Sequence, residues 1–290
     1  MTILKLLSVF FLQLLCVHVF LFDGTNAQSL RVGFYNSTCP SFEEIVRNTT
    51  ARLISRAPSL APALLRMHFH DCFVRGCDGS VLINSTSGNQ AEKDAIPNQS
   101  LRGFQVIDAV KTAVENICPS LVSCADILAL VARDEVTLDD ETEECLDHQR
   151  PWQHHSTQSI ISLEGFNISN RLYNFTGQGD TDPSLDPNYV VHLKRKCSPT
   201  DTTSIIEMDP GSARTFDTSY YRLVRKRRGL FEADAALLND NATRNYVLRQ
   251  ANSGGSNFFN DFAASMLKMG RIGVITGNRG EIRRICSAIN

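Results

Sequence analysis

Apolar residues recur every three or four positions in three long stretches of the chain, a pattern that predicts amphipathic helices. The first stripe lies between Gly103 and Pro119 and comprises Phe104, Ile107, Val110, Val114 and Ile117. A second follows Ser123 and Asp126, whose spacing resembles an N-terminal capping box, and comprises Ile127, Leu128 and Val131. The third stops at Gly270, a natural C-terminal break, and comprises Phe259, Phe262, Met266 and Met269. All three stripes are predicted to face a core.

Strand patterns are scarce. No run of alternating apolar and polar residues exceeds a few positions, and residues 272–275 are the best short strand candidate. We therefore predict an all-α fold, mainly helical, with at most a small β-hairpin. The sequence shows no internal repeat and no obvious linker, so residues 28–290 are predicted to form one domain.

The first 27 residues have the pattern of a secretory signal peptide. Lys5 precedes an apolar run over residues 6–22, and Thr25, Asn26 and Ala27 place small residues where a signal peptidase would cut. A retained transmembrane anchor is the alternative, although His18 interrupts the run. We expect a secreted protein whose mature chain begins near Gln28 and has no membrane segment.

Composition narrows the class of protein. Of the 290 residues, 42% are hydrophobic and 21% are charged, which is typical of a globular protein. The net charge of -2 lacks the basic excess of a general nucleic-acid binder. One of nine cysteines leaves with the signal peptide, and the remaining eight suit disulfides in an oxidising compartment. Seven glycosylation sequons also indicate secretion, at Asn36, Asn48, Asn84, Asn98, Asn167, Asn174 and Asn241.

One segment departs from the helical pattern. Six of the nine residues from Asp139 to Asp147 are acidic, and residues 149–158 are polar, with neither helical nor strand periodicity. A solvated loop is the simplest interpretation of such a charge run. A zinc or copper site is a second interpretation, with candidate ligands Cys145, His148, His154 and His155.

Residues 60–72 form a mostly apolar segment that carries Arg66 and His70 four positions apart. On a helix these two side chains project from one face, about one turn apart. The imidazole can accept a proton from a bound substrate, while the guanidinium stabilises negative charge on the atom left behind. The pair therefore indicates general-base catalysis with electrostatic assistance. A surface cation beside a core histidine is the alternative.

The next ten residues combine hard oxygen ligands with two cysteines. Side-chain oxygens of Asp71, Asp78 and Ser80, with the backbone carbonyls of Val74 and Gly76, would make a cage suited to calcium. In a secreted protein the two cysteines of this loop, Cys72 and Cys77, would pair and restrict those oxygens. The alternatives are a zinc site and a turn held only by its disulfide.

At this point the chain resembles the secretory plant haem peroxidases. Residues 34–40, Phe-Tyr-Asn-Ser-Thr-Cys-Pro, are similar to that family's N-terminal motif, and residues 65–80 are similar to its distal-haem signature. Shorter matches lie at residues 91–94, 118–119, 122–126, 171–175, 216–221, 229–231 and 280–283. The resemblance covers residues 30–138 and 169–290 and implies the mainly helical haem-peroxidase fold, incomplete in the middle.

The resemblance also implies a reaction, in which hydrogen peroxide oxidises a haem iron and reducing substrates, typically phenols, are then oxidised in one-electron steps. His70 resembles the distal acid/base and Arg66 the cation that assists cleavage of the O–O bond. Phe69 would wall the distal pocket, and Asn98 would accept a hydrogen bond from the imidazole. The Asn98 sequon would then be unused. The implied cofactors are haem b and two calcium ions, and the chain is expected to be a monomer.

The family's calcium ligands and disulfides can be carried over to matching positions. The first calcium site would use Asp71, Val74, Gly76, Asp78 and Ser80, with Glu92 helping through water. The second, incomplete site would use Asp209, Ser212, Thr215 and Asp217. The implied disulfides are Cys39 with Cys118, Cys72 with Cys77, and Cys124 with Cys286. They leave Cys145 and Cys197 as a candidate fourth pair.

The resemblance fails where the axial ligand of the iron is expected. Counting back from Arg171, Gln158 occupies the position of the axial histidine, Ser159 that of the next calcium ligand, and Gly165 that of a cysteine. Asp234 matches the carboxylate partner of the missing histidine. The histidines left as axial candidates lack the motif; they are His148, His154, His155 and His192. We interpret residues 139–168 as an aberrant segment, with an altered reading frame or exon boundary as its hypothetical origin.

Two functions follow from this comparison. The first is a working secreted haem peroxidase that acts on hydrogen peroxide and phenolic or similar reductants. The second is a calcium-binding, peroxidase-like secreted glycoprotein whose catalysis is impaired because the axial ligand is missing.

Overall fold

The computed structural model describes residues 30–138, 166–200, 204, 206–212 and 216–290. In this part of the chain the regular structure is helical. The helices are α1 (Phe42–Ile54), α2 (Ala61–Val74), α3 (Phe104–Ile117), α4 (Cys124–Leu138), α5 (Phe166–Tyr173), α6 (Pro187–Lys196), α7 (Ser219–Arg225), α8 (Glu232–Ala236), α9 (Asn241–Asn252) and α10 (Ser256–Met269). Short 3-10 turns include Ser80–Leu82, Glu92–Asp94 and Ile96–Asn98. The predicted all-α fold is confirmed.

The apolar stripes predicted three of these helices, α3, α4 and α10. At the start of α4, Ser123 Oγ accepts a hydrogen bond from the Asp126 amide and donates one to the Asp126 carboxylate, as the capping-box spacing predicted. The α3 stripe is buried at Ile107, Val110 and Val114 but not at its end, where Ile117 is 63% exposed.

The described residues form two main hydrophobic cores. The first, which we call the distal core, lies between α1, α2, α3 and α4, and it includes Cys124 and Cys286. The second, the proximal core, is built by α5, α6 and the chain just before α8. Burying apolar side chains in this way is the main force that assembles the helices.

The three disulfides expected from the family resemblance are present. Cys39 is bonded to Cys118, Cys72 to Cys77, and Cys124 to Cys286. Cys197 is buried, while Cys145 lies outside the described residues, so the fourth pair stays a prediction.

The strand candidate at residues 272–275 is wrong, because this segment is a turn followed by irregular chain. Gly273 has a φ of +55° and packs directly on the backbone of Gly76, a geometry that interrupts an extended conformation. In the described ranges, an isolated bridge between Thr86 and Asn89 is the β structure that remains.

No described helix is long and apolar enough to cross a membrane. The signal peptide and the acidic segment at residues 139–147 lie outside the described residues.

Candidate active site and calcium loops

On helix α2, a hydrogen bond to Asn98 determines which ring nitrogen of His70 is free. The Nδ1 atom of His70 lies 2.7 Å from Asn98 Oδ1, and Asn98 Nδ2 donates to the Glu92 carbonyl, also at 2.7 Å. Because the amide nitrogen of Asn98 is committed to that carbonyl, its oxygen faces the imidazole as an acceptor. His70 Nδ1 is thereby assigned the proton, which leaves Nε2 with a lone pair for proton transfer.

Arg66 lies one turn before His70 and is anchored to the same loop that carries Asn98. Its guanidinium donates to Ser100 Oγ at 3.0 Å, to the Pro97 carbonyl at 3.2 Å and to the Ser100 carbonyl at 3.4 Å. Burial is the main cause that lowers the pKa of His70, the Arg66 charge lowers it further, and the hydrogen bond to Asn98 opposes both. The imidazole is therefore held in its neutral, proton-accepting form.

Phe69 lies beside His70, with its ring edge-on to the imidazole at 5.9 Å. It also contacts Phe73 at a centroid distance of 4.4 Å. In the described structure both rings are partly open to solvent, Phe69 by 46% and Phe73 by 58%. This exposed aromatic face adjoins the Arg66 guanidinium and the neutral His70 imidazole on α2.

The first candidate calcium loop is organised around a buried carboxylate. Asp71 Oδ2 accepts a hydrogen bond from the Gly79 amide at 3.0 Å, and Oδ1 accepts a long one from Val81 at 3.4 Å. Burial raises the pKa of Asp71 to about 7, and the charges of Asp78 and Glu92 raise it as well. The loop therefore concentrates negative charge that a cation would compensate.

Hydrogen bonds tie the other candidate ligands of this loop together. Asp78 Oδ1 accepts from the Ser80 amide at 2.9 Å, and the Ser80 hydroxyl donates to Glu92 at 2.9 Å. In the described part of the chain, no three His, Cys, Asp or Glu side chains form a group that could hold a metal. A calcium cage also uses hydroxyl and carbonyl oxygens, so two carboxylates with Ser80 and backbone oxygens fit calcium better than zinc.

The second candidate calcium loop contains a buried carboxylate that lacks a good hydrogen-bond donor among the described residues. Neither oxygen of Asp209 accepts a hydrogen bond of normal geometry from the described residues, although the nearby Tyr220 amide somewhat lowers its pKa. Burial, with the Asp217 charge, nevertheless raises the pKa of Asp209 to about 6. Ser212 donates to Asp217 at 2.6 Å, and Thr215 lies outside the described residues. The unsatisfied carboxylate fits a bound cation.

Asp234, the expected partner of an axial histidine, is bonded to other groups. Tyr220 donates to Oδ1 at 2.5 Å, and the Phe231 amide donates to Oδ2 at 2.8 Å. Among the described residues, the gap beside Asp234, lined by Arg171 and Val224, has no room for a water molecule. The described residues therefore fit haem on the distal side, at Arg66 and His70, but supply no axial ligand at Asp234.

The four axial candidates do not change this result. His148, His154 and His155 lie outside the described residues. His192 is exposed on α6, where its ring stacks on Tyr189 at a centroid distance of 6.2 Å.

Sequence reasoning missed two contacts around these sites. Tyr220 was not predicted to bond Asp234, and Ser100 was not predicted to anchor Arg66. Neither contact follows from a single helical or loop spacing, because Arg66 and Ser100 are 34 positions apart and Tyr220 and Asp234 are 14 apart. Asn98 is buried and bonded through both side-chain atoms, which agrees with an unused sequon.

Comparison with known proteins identifies the family. The sequence model of the family described as peroxidase matches residues 46–145 and 159–253. The chain belongs to the peroxidase family. The match skips residues 146–158, which lie inside the segment that departs from the helical pattern.

Curated plant relatives resemble this peroxidase over most of their length. Peroxidase 27 of Arabidopsis thaliana is 50% identical over 308 residues, which cover 94% of this chain and 96% of the relative. Peroxidase 56 of Arabidopsis thaliana is 46% identical over 318 residues, with 97% and 96% covered. Peroxidase 1 of Oryza sativa subsp. japonica is 46% identical over 299 residues, with 89% and 92% covered.

The alignment with Peroxidase 27 spans 308 residues, more than the 290 of this peroxidase. The relative therefore has residues that this chain lacks.

Proposed function

We propose that this chain is a secreted peroxidase that uses hydrogen peroxide to oxidise phenols or similar small reductants. The observation that supports this most is the distal arrangement on α2, where His70 has one nitrogen bonded to Asn98 and Arg66 is held one turn away. Membership of the peroxidase family supports the reaction class. The solvent-exposed ring of Phe69 offers a surface that small aromatic reductants could contact.

In this proposal the residues of the chain move one proton and stabilise one charge. His70 Nε2 accepts a proton from one oxygen of hydrogen peroxide. It then gives this proton to the other oxygen, which leaves as water. Arg66 stabilises the negative charge that develops on the departing oxygen. Asn98 keeps the imidazole in the tautomer that accepts at Nε2. Haem, when bound, supplies the iron that takes up the oxidising equivalents.

The two calcium loops are part of the same proposal. Asp71, Asp78 and Ser80 would hold one ion, with the carbonyls of Val74 and Gly76. Glu92, which accepts a hydrogen bond from Ser80, would help through water. Asp209, Ser212 and Asp217 would hold the second, together with Thr215. A bound ion would remove the cost of burying Asp71 and Asp209 as charged groups.

A second candidate function is a peroxidase-like, calcium-binding secreted protein with impaired catalysis. The specific observation in its favour is Asp234, whose two oxygens are bonded to Tyr220 and to the Phe231 amide rather than to an imidazole. Without an axial ligand the iron would be held weakly, and its electronic properties would change.

Haem reconstitution followed by peroxide assays distinguishes the two functions. For the working peroxidase we expect a Soret band from the purified chain and peroxide-dependent oxidation of a phenol. His70→Ala should keep the Soret band and lose about 10²- to 10⁴-fold in the rate of reaction with peroxide. The exposed His192→Ala is the matched control and should behave as wild type. A wild-type chain that takes up no haem would refute the first function and support the second.

The proposal also includes a secreted monomer that binds neither nucleic acid nor membrane. The net charge of -2 supports the absence of a nucleic-acid partner. The signal-peptide pattern and the cysteine content carry the secretion proposal.

A further inference from the structure

The first calcium loop, residues 71–80, is held from outside by the C-terminal segment of the chain. The Cys77 amide donates to the Ile272 carbonyl at 2.8 Å. Gly76 and Gly273 are in backbone contact, and a Cβ added to Gly76 would lie 2.6 Å from Gly273 Cα. The loop that would hold calcium is therefore in contact with a segment almost 200 residues away.

Arg283 makes a second contact between these segments. Its buried guanidinium donates to the Gly79 carbonyl at 2.7 Å and to the Cys286 carbonyl at 2.7 Å. Cys286 is itself bonded to Cys124 at the start of α4. Arg283 thus connects the loop to a covalently fixed point of the distal core.

Gly79 is hydrogen-bonded through both of its backbone polar groups, which belong to two successive peptide groups. Its amide donates to Asp71, while its carbonyl accepts from Arg283. Gly79 has a φ of +71°, a left-handed conformation that favours glycine. Because Gly79 lies directly before Ser80, the orientation of its peptide also sets the direction in which the Ser80 side chain leaves the backbone.

Arg283 suits this role by its shape as well as its charge. A guanidinium presents several donors in a planar fork, so one side chain can satisfy two carbonyls at once. Burial lowers the pKa of Arg283, and the nearby negative charges of Glu281, Asp71 and Asp78 oppose this effect. A lysine at this position would keep the charge but not the fork.

We infer that Arg283 is a positioning residue for the first calcium site, where it fixes the Gly79 peptide and thereby the distance between Asp71 and Ser80. This inference rests on the proposed binding of calcium by that loop. Arg283 does not touch the ion; it acts through the loop backbone.

The test measures calcium affinity rather than enzyme activity. Every protein in this test carries Asp209→Asn, so that the second loop contributes little to calcium binding. Calcium is titrated calorimetrically into metal-free protein. Arg283→Gln should weaken binding at the first site by about tenfold or more, as observed for residues that orient metal ligands. The calcium affinity of Arg283→Lys should lie between those of the parent and Arg283→Gln, because lysine retains the charge but not the planar fork.

Arg284→Gln is the matched control. Arg284 is the next residue, its Nε donates to the exposed Ser120 hydroxyl at 3.2 Å, and its removal changes the net charge equally. Its calcium affinity should stay within about twofold of the parent.

Melting temperatures in calcium and in chelator separate positioning from simple stabilisation. If Arg283 positions the loop, the increase in Tm caused by calcium should shrink in Arg283→Gln, since that increase reports binding to the folded state. Equal losses of Tm in calcium and in chelator, with unchanged affinity, would overturn the inference. A parent chain that binds no calcium would overturn the proposed site as well, and this result is distinguishable because it appears before any Arg283 substitution.

Discussion

His68 is a buried titratable group that the proposed chemistry does not use. It lies two residues before His70 on α2 and is 1% exposed, with its ring nitrogens 3.7 and 3.9 Å from Cys72 Sγ. Burial lowers the pKa of His68 to about 4. The two histidines of α2 therefore differ in their surroundings: His68 is enclosed in the interior, whereas His70 is half-buried and bonded to Asn98.

Replacing His68 should flatten the dependence of stability on pH. The folded pKa is lower than the unfolded value of about 6.5, so the stability is complete above pH 6.5 and falls as the pH drops towards 4. The shift corresponds to about 3 kcal/mol across that range. In urea unfolding at pH 7 and pH 4, His68→Leu should lose less stability than wild type, whereas the exposed His192→Leu should not differ. An equal loss in His68→Leu and wild type would contradict this account.

At the residue scale, the sequence predicted side chains that belong to one continuous motif. Arg66, His70 and Asp71 were found because helical spacing and a short loop place them together. Arg283 and Tyr220 were not, since their partners Gly79 and Asp234 come from distant segments.

At the scale of helices, a buried arginine on α5 pairs with a carboxylate in the α5–α6 connection and also bonds the chain before α8. Arg171 Nε lies 2.6 Å from Asp182 Oδ2, and Arg171 also donates to the Gly229 and Leu230 carbonyls at 3.1 and 2.8 Å. Both charged side chains are almost completely buried. Such a pair is sensitive to loss of one partner, because the other charge is then left buried without compensation.

Substitutions at this pair should not be additive. We expect Arg171→Leu to cost roughly 3 to 5 kcal/mol in the free energy of unfolding, and Asp182→Leu a similar amount. The double variant should cost less than the sum of the two, since it leaves no unpaired charge. Urea unfolding of the four proteins in the cycle measures the difference. Strictly additive costs would show that the pair contributes nothing of its own.

Helices could be predicted where one face is continuously buried. Helix ends and turns were harder to predict, because they depend on contacts with other parts of the chain. The stripe at Ile107, Val110 and Val114 identified α3, but Ile117 faces solvent because the helix ends there at disulfide-bonded Cys118. Residues 272–275 looked like a strand because they are apolar, and the turn at Gly273 could not be inferred without its contact to Gly76.

For the molecule as a whole, the two main cores are stabilised differently. In the described part of the chain, the distal core is the larger and is crossed by Cys39–Cys118 and Cys124–Cys286. No described disulfide lies in the proximal core. Closing long loops covalently reduces the entropy of the unfolded chain, by about 4 to 5 kcal/mol for each of these two bridges in the loop-entropy model.

Hydrogen exchange should therefore distinguish the two cores. Amides of α1, α3 and α4 are expected to exchange more slowly than those of α6, by about tenfold or more, because opening of the distal core costs more free energy. Exchange followed by mass spectrometry on the oxidised protein measures this directly. Faster exchange in α3 than in α6 would contradict the expected order of stability.

The residues of the candidate distal site could be predicted as a set because they stand in long, specific motifs. The proximal half was not, since Gln158 and Gly165 occupy the positions where the family's signature is expected and offer no replacement for it. Structure adds that Asp234 is already satisfied by Tyr220, which no motif could indicate.

The contact between Gly79 and Arg283 has a consequence for how the protein is made. The two residues are separated by 204 positions, which a ribosome needs on the order of 10 to 40 s to synthesise. The Cys72–Cys77 bridge spans only 5 positions and can close as soon as that segment meets an oxidising environment. The loop can therefore close covalently before Arg283, the residue that we infer positions it, has been synthesised.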